Sequence, residues 1–220
     1  MNLKGLKYKT TWVEFPDIEA VCKKIGAPAT GKKADGSDYY TLPVIYDPST
    51  KAIIADSAPI AKYLDATYPD TPRLFPDGTD AFQALFSSLL VPSVMVPLLH
   101  ILLSRINALL NPPSQAYFRG TREALFGKKL EEVGDESDWE TLEAGLARIK
   151  ASLDANGEGK GLLLMGDKIT YSDIFLVSLL LWVRVTAGEE SDDWKRITTL
   201  HDGTWAKYVA QFSPYEFVDL

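Results

Sequence analysis

A mixed α/β segment, residues 1–70, followed by an all-helical remainder, residues 80–220, is the fold class that the sequence predicts. Three observations carry this expectation. Short runs of β-branched and aromatic residues, joined by turn-forming residues, crowd the beginning of the chain. A proline-rich stretch, PDTPRLFPDGT (69–79), then interrupts every periodic pattern and reads as a linker. Beyond it, apolar residues recur at helical spacing between Gly, Pro and polar breaks.

Leu6 to Phe15 (LKYKTTWVEF) is rich in β-branched and aromatic residues and predicts a strand. Asp17 to Ile25 predicts a short helix, and Lys32 to Ser37 (KKADGS) a polar loop. Thr41 to Tyr46 (TLPVIY) and Ala52 to Ala55 (AIIA) flank Asp47-Pro48-Ser49-Thr50, where Pro48 is preset for a tight turn, so the two runs predict an antiparallel hairpin. A helix from Ser57 to Tyr68 follows, with Pro59 in its first turn. After the linker, helices are expected over Asp80–Leu110, Ser114–Glu132, Asp138–Ala155, Tyr171–Thr186 and Thr204–Phe212. Thr170 and Asp173 have the spacing of a capping box, and Ile169 and Ile174 that of a hydrophobic staple.

Composition excludes some classes of function. The chain has 220 residues, 46% hydrophobic and 24% charged, which describes a folded globular protein. A net charge of −7 without a Lys/Arg block offers no footprint for nucleic acid or an anionic membrane. The start MNLKGLKYKTTW lacks the apolar core of a secretory signal, and a single cysteine, Cys22, excludes an internal disulfide framework, so a cytoplasmic home is expected. From Ala81 to Ser104 no charged residue occurs, a length that would suit a membrane span. Pro92, Pro97, Ser87, Ser88, Ser93, His100 and Ser104 interrupt that run, which fits a helix enclosed by protein, or a subunit interface, better than one facing lipid. Cys22 lies among Ile18, Val21 and Ile25 and is expected to be buried and inert. His100 is expected to be a satisfied buried histidine; with His201 as the other histidine, no metal cluster is expected.

Two places carry candidate chemistry. Pro43 lies inside a strand-like run, where proline removes a ladder hydrogen bond. Either the run is an edge strand with a trans proline, or the Leu42-Pro43 bond is cis and Val44 presents its N–H and C=O to a ligand as a strand edge does. The pair Asp56-Ser57 stands at a helix start, and it too has two readings. It can be an ordinary cap, with Ser57 suited to the N-cap position. Alternatively, the free N–H groups of the helix start and Ser57 hold a carboxylate while Asp56 accepts an ammonium, which suits the α-amino acid end of a small molecule.

These residues, taken together, resemble a cytosolic glutathione transferase. The resemblance rests on the interior Leu-Pro-Val, the hairpin, Asp-Ser-x-x-Ile-x-x-Tyr-Leu, the proline-rich linker, and MGDKITYSDIFL (165–176) in the helical part. More narrowly, DPSTKAIIADSAPIAKYLDATYPDTP (47–72) and YFRGTREALFGKKLEE (117–132) are similar to the fungal glutathione transferases related to bacterial β-etherases, an omega-like class. The resemblance implies a thioredoxin-like domain followed by an all-helical domain, glutathione as co-substrate, and a homodimer. It implies that Val44 pairs with the glutathione backbone after a cis-Pro43 and that Asp56 and Ser57 hold the γ-glutamyl group; Asp56 stands where many members have Glu or Gln. Thr170 and Asp173 are then structural. Lys32 or Lys33 could neutralise the glycyl carboxylate or be a solvated loop lysine. A second-substrate pocket for hydrophobic, wood phenolic-like aromatics is expected from Tyr117, Arg122 and Trp182, with Phe118, Arg119 and Arg184 near them; plain core packing and ion pairing are the other readings of these residues. In that family a first strand and most of a first helix precede the equivalent of LKGLKYKTTWVEF, and the thiol-activating residue follows that strand. This sequence shows neither, so the resemblance assigns no catalytic residue. The chain is then a truncated version of a longer protein, or the gap is filled by rearrangement or by a partner. A detoxifying transferase, a non-catalytic ligandin, and a transferase-like interaction module are the three functions these readings allow.

Overall fold

The computed structural model describes residues 1–157 and 161–218. After a single 3-10 turn at Asn2–Lys4, the chain runs extended to a second at Phe15–Asp17, which leads into α1 (Ile18–Ile25). Two short antiparallel ladders follow. β1 (Gly31–Lys32) pairs with β2 (Asp38–Tyr39), and β3 (Val44–Asp47) pairs with β4 (Ala52–Ala55) with Val44 opposite Ala55. The helix α2 (Ser57–Thr67) closes this half.

The expected strand over Leu6–Phe15 does not form: among the described residues it joins no ladder. Its last two residues dock on the helical half instead, while Trp12 is exposed. Glu14 accepts hydrogen bonds from Ser114 and, at 2.7 Å, from Asn111 Nδ2, while the Phe15 N–H donates to Ser114 Oγ at 2.8 Å and the Phe15 ring meets Phe118 edge-on at 5.7 Å. Extended-chain propensity is present; a strand neighbour is not.

The charge-free run forms α3 (Asp80–Leu90), a π-helical turn (Val91–Met95) and α4 (Val96–Leu109) in one continuous rod. Pro92 and Pro97 lack the N–H that an α-helix needs there, and the wider turn absorbs the fault. By length and composition this rod could cross a membrane. Its inner face, Leu90, Val94, Leu98, Leu102 and Leu103, is instead fully enclosed by α6 (Glu136–Asp154) and α7 (Tyr171–Ala187). The fit is close enough that α6 needs a glycine: a Cβ on Gly145 would stand 2.4 Å from the Ser93 carbonyl oxygen. The helix α5 (Pro112–Phe126) packs on α4 and on the Phe15–Asp17 turn.

α7 begins as the spacing of Thr170 and Asp173 predicts. The Asp173 carboxylate accepts from the Thr170 N–H at 2.9 Å, from Thr170 Oγ1 at 2.7 Å and from the Leu164 N–H at 2.8 Å, and the buried Tyr208 hydroxyl donates to it at 3.0 Å. The last helix is longer than expected. α8 (Asp192–Ala210) starts at a Ser191 cap and bends at Leu200–Gly203, so the predicted Thr204–Phe212 segment is its second arm.

Candidate functional site

Asp47 organises the hairpin from beneath. Its carboxylate accepts from the Ser49 N–H and hydroxyl at 2.9 and 2.6 Å and from the Tyr63 and Tyr68 hydroxyls at 2.6 Å each, which holds it well below the ordinary carboxylate range. The β3–β4 turn is thereby pinned to α2. At the other end of the same ladder the Leu42–Pro43 bond is cis, as the second reading of the proline had it, and β3 starts at Val44. The Asp56 N–H donates to the Pro43 carbonyl at 3.0 Å. Pairing of Val44 with Ala55 therefore sets Val44 beside Asp56 and Ser57, so the three expected glutathione contacts share one end of the hairpin.

The helix starts at Ser57 as expected, but the capping residue is Asp56. At φ 75° and ψ 142°, Asp56 cannot belong to the helix, and its carboxylate folds back to accept the Ser57 N–H at 2.6 Å. A non-glycine residue at such an angle stores strain of about 1–3 kcal/mol, a cost that tends to be found where a side chain must be aimed. Both residues are exposed, at the positive end of the α2 dipole. The Ser57 hydroxyl lies 3.4 Å from Asp56 Oδ1 and 2.9 Å from the hydroxyl of Tyr171.

Tyr171 was legible in the sequence as a helix start and nothing more. It is the first residue of α7, its N–H donates to the Leu74 carbonyl at 3.0 Å, and its ring stacks on Phe75 with centroids 5.1 Å apart. Burial raises the pKa of its hydroxyl, against the effect of the Ser57 hydrogen bond. Leu74 and Phe75 are themselves held by Asp65, which takes both their N–H groups and pairs with Lys4 at 2.7 Å in a buried ion pair.

The other candidates lie elsewhere. Lys32 pairs with Asp38 at 2.6 Å and Lys33 with Glu19 at 2.7 Å; hydrogen bonds from Lys23 and Lys33 lower Glu19 to about 2. Cys22 is 1% exposed and its thiol is pushed up by burial, the opposite of an activated thiolate. His100 Nδ1 sits 2.8 Å from Asp138 Oδ1. Arg119 is spent on Glu123 and Glu131, and Arg184 on Glu189 and Glu216.

Tyr117, Arg122 and Trp182 have different surroundings. Tyr117 is exposed; Arg122 lies over the Phe118 and Phe15 rings at 4.6 and 5.8 Å; Trp182 packs on the helical core. None of the three lines either described cavity. One of those cavities, about 360 Å³, opens between the first residues of the chain and α7, with Leu3, Tyr8, Ile174, Val177, Leu181 and Phe212 in its wall. Ile174 is one helical turn along α7 from Tyr171.

Residues 1–72 match the family described as "Glutathione S-transferase, N-terminal domain", and residues 81–215 match "Glutathione S-transferase, C-terminal domain". A curated relative, the glutathione S-transferase-like protein ustS of Aspergillus flavus, is 33% identical over 219 residues, which span 92% of this chain and 76% of that protein. Among solved structures, glutathione transferase GSTFuA3 of Phanerochaete chrysosporium is 65% identical with a TM-score of 0.97, covering 100% of this chain and 88% of that one. The glutathione S-transferase CsGST63524 of Ceriporiopsis subvermispora, solved in complex with glutathione, is 48% identical with a TM-score of 0.93, over 99% of this chain and 87% of that one. The chain therefore belongs to the glutathione S-transferase family, its α/β half being the thioredoxin-like domain and its helices the C-terminal domain.

Proposed function

We propose that this protein is a cytoplasmic glutathione transferase of the detoxification type that holds glutathione at Val44, Asp56 and Ser57 and joins it to, or stores beside it, a hydrophobic aromatic compound of the wood phenolic kind. The observation that carries the reading is the Asp56–Ser57 pair at the start of α2, brought beside Val44 by the β3–β4 register. In it the γ-glutamyl carboxylate takes the Ser57 hydroxyl and the Ala58 N–H of the first turn, and the Asp56 carboxylate, which also holds the Ser57 N–H, takes the ammonium. The domain of residues 1–70 holds glutathione, the stretch 71–79 links, and the domain of residues 80–220 receives the aromatic molecule. The apolar cavity one turn along α7 from Tyr171 supports that division, being of a size for a small aromatic. Exposed Tyr117 is available as a further aromatic contact, while Arg122 and Trp182 are engaged in packing.

In the transferase step the glutathione thiolate forms a C–S bond to an electrophilic carbon, whose leaving group departs with its bonding pair. The chain's own contribution in this reading is to orient the peptide; Cys22 takes no part. A ligandin reading is favoured by one feature, the apolar wall of the cavity, which needs no chemistry to retain a phenolic. Titration calorimetry with glutathione tests the site: saturable binding is expected, weakened about tenfold by Ser57→Ala. Turnover of an aromatic electrophile then separates transferase from ligandin.

A homodimer belongs to the same reading. Phe82, Leu85 and Leu89 form an exposed apolar stripe on α3, and Glu140, Ala144 and Arg148 form an exposed face on the neighbouring α6. Neither Glu140 nor Arg148 has an ion-pair partner among the described residues. They stand symmetrically about Ala144, so a two-fold axis there would set each Glu140 against the partner's Arg148. Arg148→Glu should weaken self-association about tenfold in sedimentation, and adding Glu140→Arg should restore it.

A further inference from the structure

The Ser57 hydroxyl is touched from the helical half by a residue 114 positions away in the chain. We infer that Tyr171 is a positioning residue for glutathione: it directs the single proton of the Ser57 hydroxyl toward the γ-glutamyl carboxylate. This rests on the glutathione reading given above.

A serine hydroxyl has one proton to give. It faces two acceptors, Asp56 Oδ1 at 3.4 Å and the Tyr171 oxygen at 2.9 Å. A carboxylate arriving at the helix start needs that proton. Tyr171 can then turn its own O–H to the Ser57 oxygen, giving a chain in which tyrosine donates to serine and serine to carboxylate, each bond polarising the next. Without the tyrosine hydroxyl, the Ser57 proton is left to be shared between the ligand and the Asp56 carboxylate, which must itself serve the ammonium.

Tyr171 is built to hold that position. Its N–H is fixed to Leu74, its ring stacks on Phe75 and lies 6.3 Å from Phe175, and the next residue, Ser172, is tied by its N–H to Gln83 at 3.1 Å. The hydroxyl stays protonated well into the alkaline range because burial raises its pKa, so the donor persists wherever glutathione binds. The surroundings thus freeze the ring and leave the hydroxyl rotor free to follow Ser57.

The test is a cycle of variants and ligands in titration calorimetry. Tyr171→Phe keeps the ring and removes the hydroxyl. It should weaken glutathione binding about 2- to 12-fold, the worth of one hydrogen bond between neutral groups, and leave unchanged the affinity for a glutathione analogue lacking the γ-glutamyl α-carboxylate. The double variant Ser57→Ala/Tyr171→Phe should bind glutathione no more weakly than Ser57→Ala. Wild-type affinity in Tyr171→Phe, equal losses on glutathione and the analogue, or additive losses in the double variant would each overturn the role and leave Tyr171 as a tie between the halves, while the glutathione reading stood. Failure of the wild-type chain to bind glutathione would overturn both.

Discussion

Leu90, Leu98, Leu102, Leu142, Leu146, Leu176, Leu180 and Trp205 in the helical half are completely enclosed, whereas the most enclosed apolar side chains of the α/β half are few and mostly small: Cys22, Ala27, Ala55, Ala61 and Leu64. The strands of that half pair two by two, an arrangement that is marginal by itself in water. What its core lacks, buried carboxylates supply. Asp47 binds the hairpin to α2, and Asp65 binds Lys4, Leu74 and Phe75 into one knot at the seam. The difference teaches where rigidity comes from on each side: non-directional packing among the helices, directional polar networks under the candidate glutathione site. The first tolerates changes of shape; the second does not tolerate a missing partner.

The sharpest way to break that comparison is to find a polar network that matters as much inside the helical half. Asp173→Ala is expected to be the most damaging of these substitutions, costing about 3–5 kcal/mol, because it strips the Thr170 and Leu164 N–H groups and the buried Tyr208 hydroxyl of their acceptor. Denaturant unfolding measures it, and a loss below about 1 kcal/mol would mean that leucine packing carries α7 without its cap. Lys4→Ala comes next. It should cost about 2 kcal/mol, less than for a fully orphaned charge, since Asp65 keeps the Leu74 and Phe75 N–H groups. Hydrogen exchange should show the loss of protection in α2 and the hairpin before α4 and α7; uniform loss would argue against a separate, polar-held half.

The smallest effect is one of pH. The folded Asp47 carboxyl is depressed, so its contribution is present above the ordinary carboxylate range and lost as the pH falls through the depressed value. The difference in urea midpoint between the natural chain and Asp47→Asn should therefore be full at pH 7 and shrink below about pH 4. A difference that stays constant into acid would sink the role given to this network.

The sequence disclosed features whose cause is local. The hairpin, the start of α2 and the Thr170–Asp173 box follow from neighbours a few positions apart, and each formed where the spacing put it. LKYKTTWVEF misled because β-branched and aromatic content says only that a run is extended and wants a surface; which surface, here α5, depends on residues about 100 positions away. The first arm of α8 escaped notice because DDWKRITT is polar on most of its faces. Within the site, Asp56 and Ser57 were legible as a pair, although the division of labour between them was not: the capping role went to the residue whose backbone is barred from the helix. Tyr171 could not be joined to Ser57 from sequence, since nothing in either segment mentions the other.

Gly145 touches no candidate ligand residue, yet it fixes how near α6 may come to the Ser93 carbonyl. In a library of single variants scored for survival, position 145 should behave like a catalytic position, rejecting even alanine, while exposed Ala147 half a turn along accepts many replacements. Intolerance to change would there record a distance between two backbones rather than a chemical task, and a map of tolerance read without the structure would place a false active site in the middle of a helix.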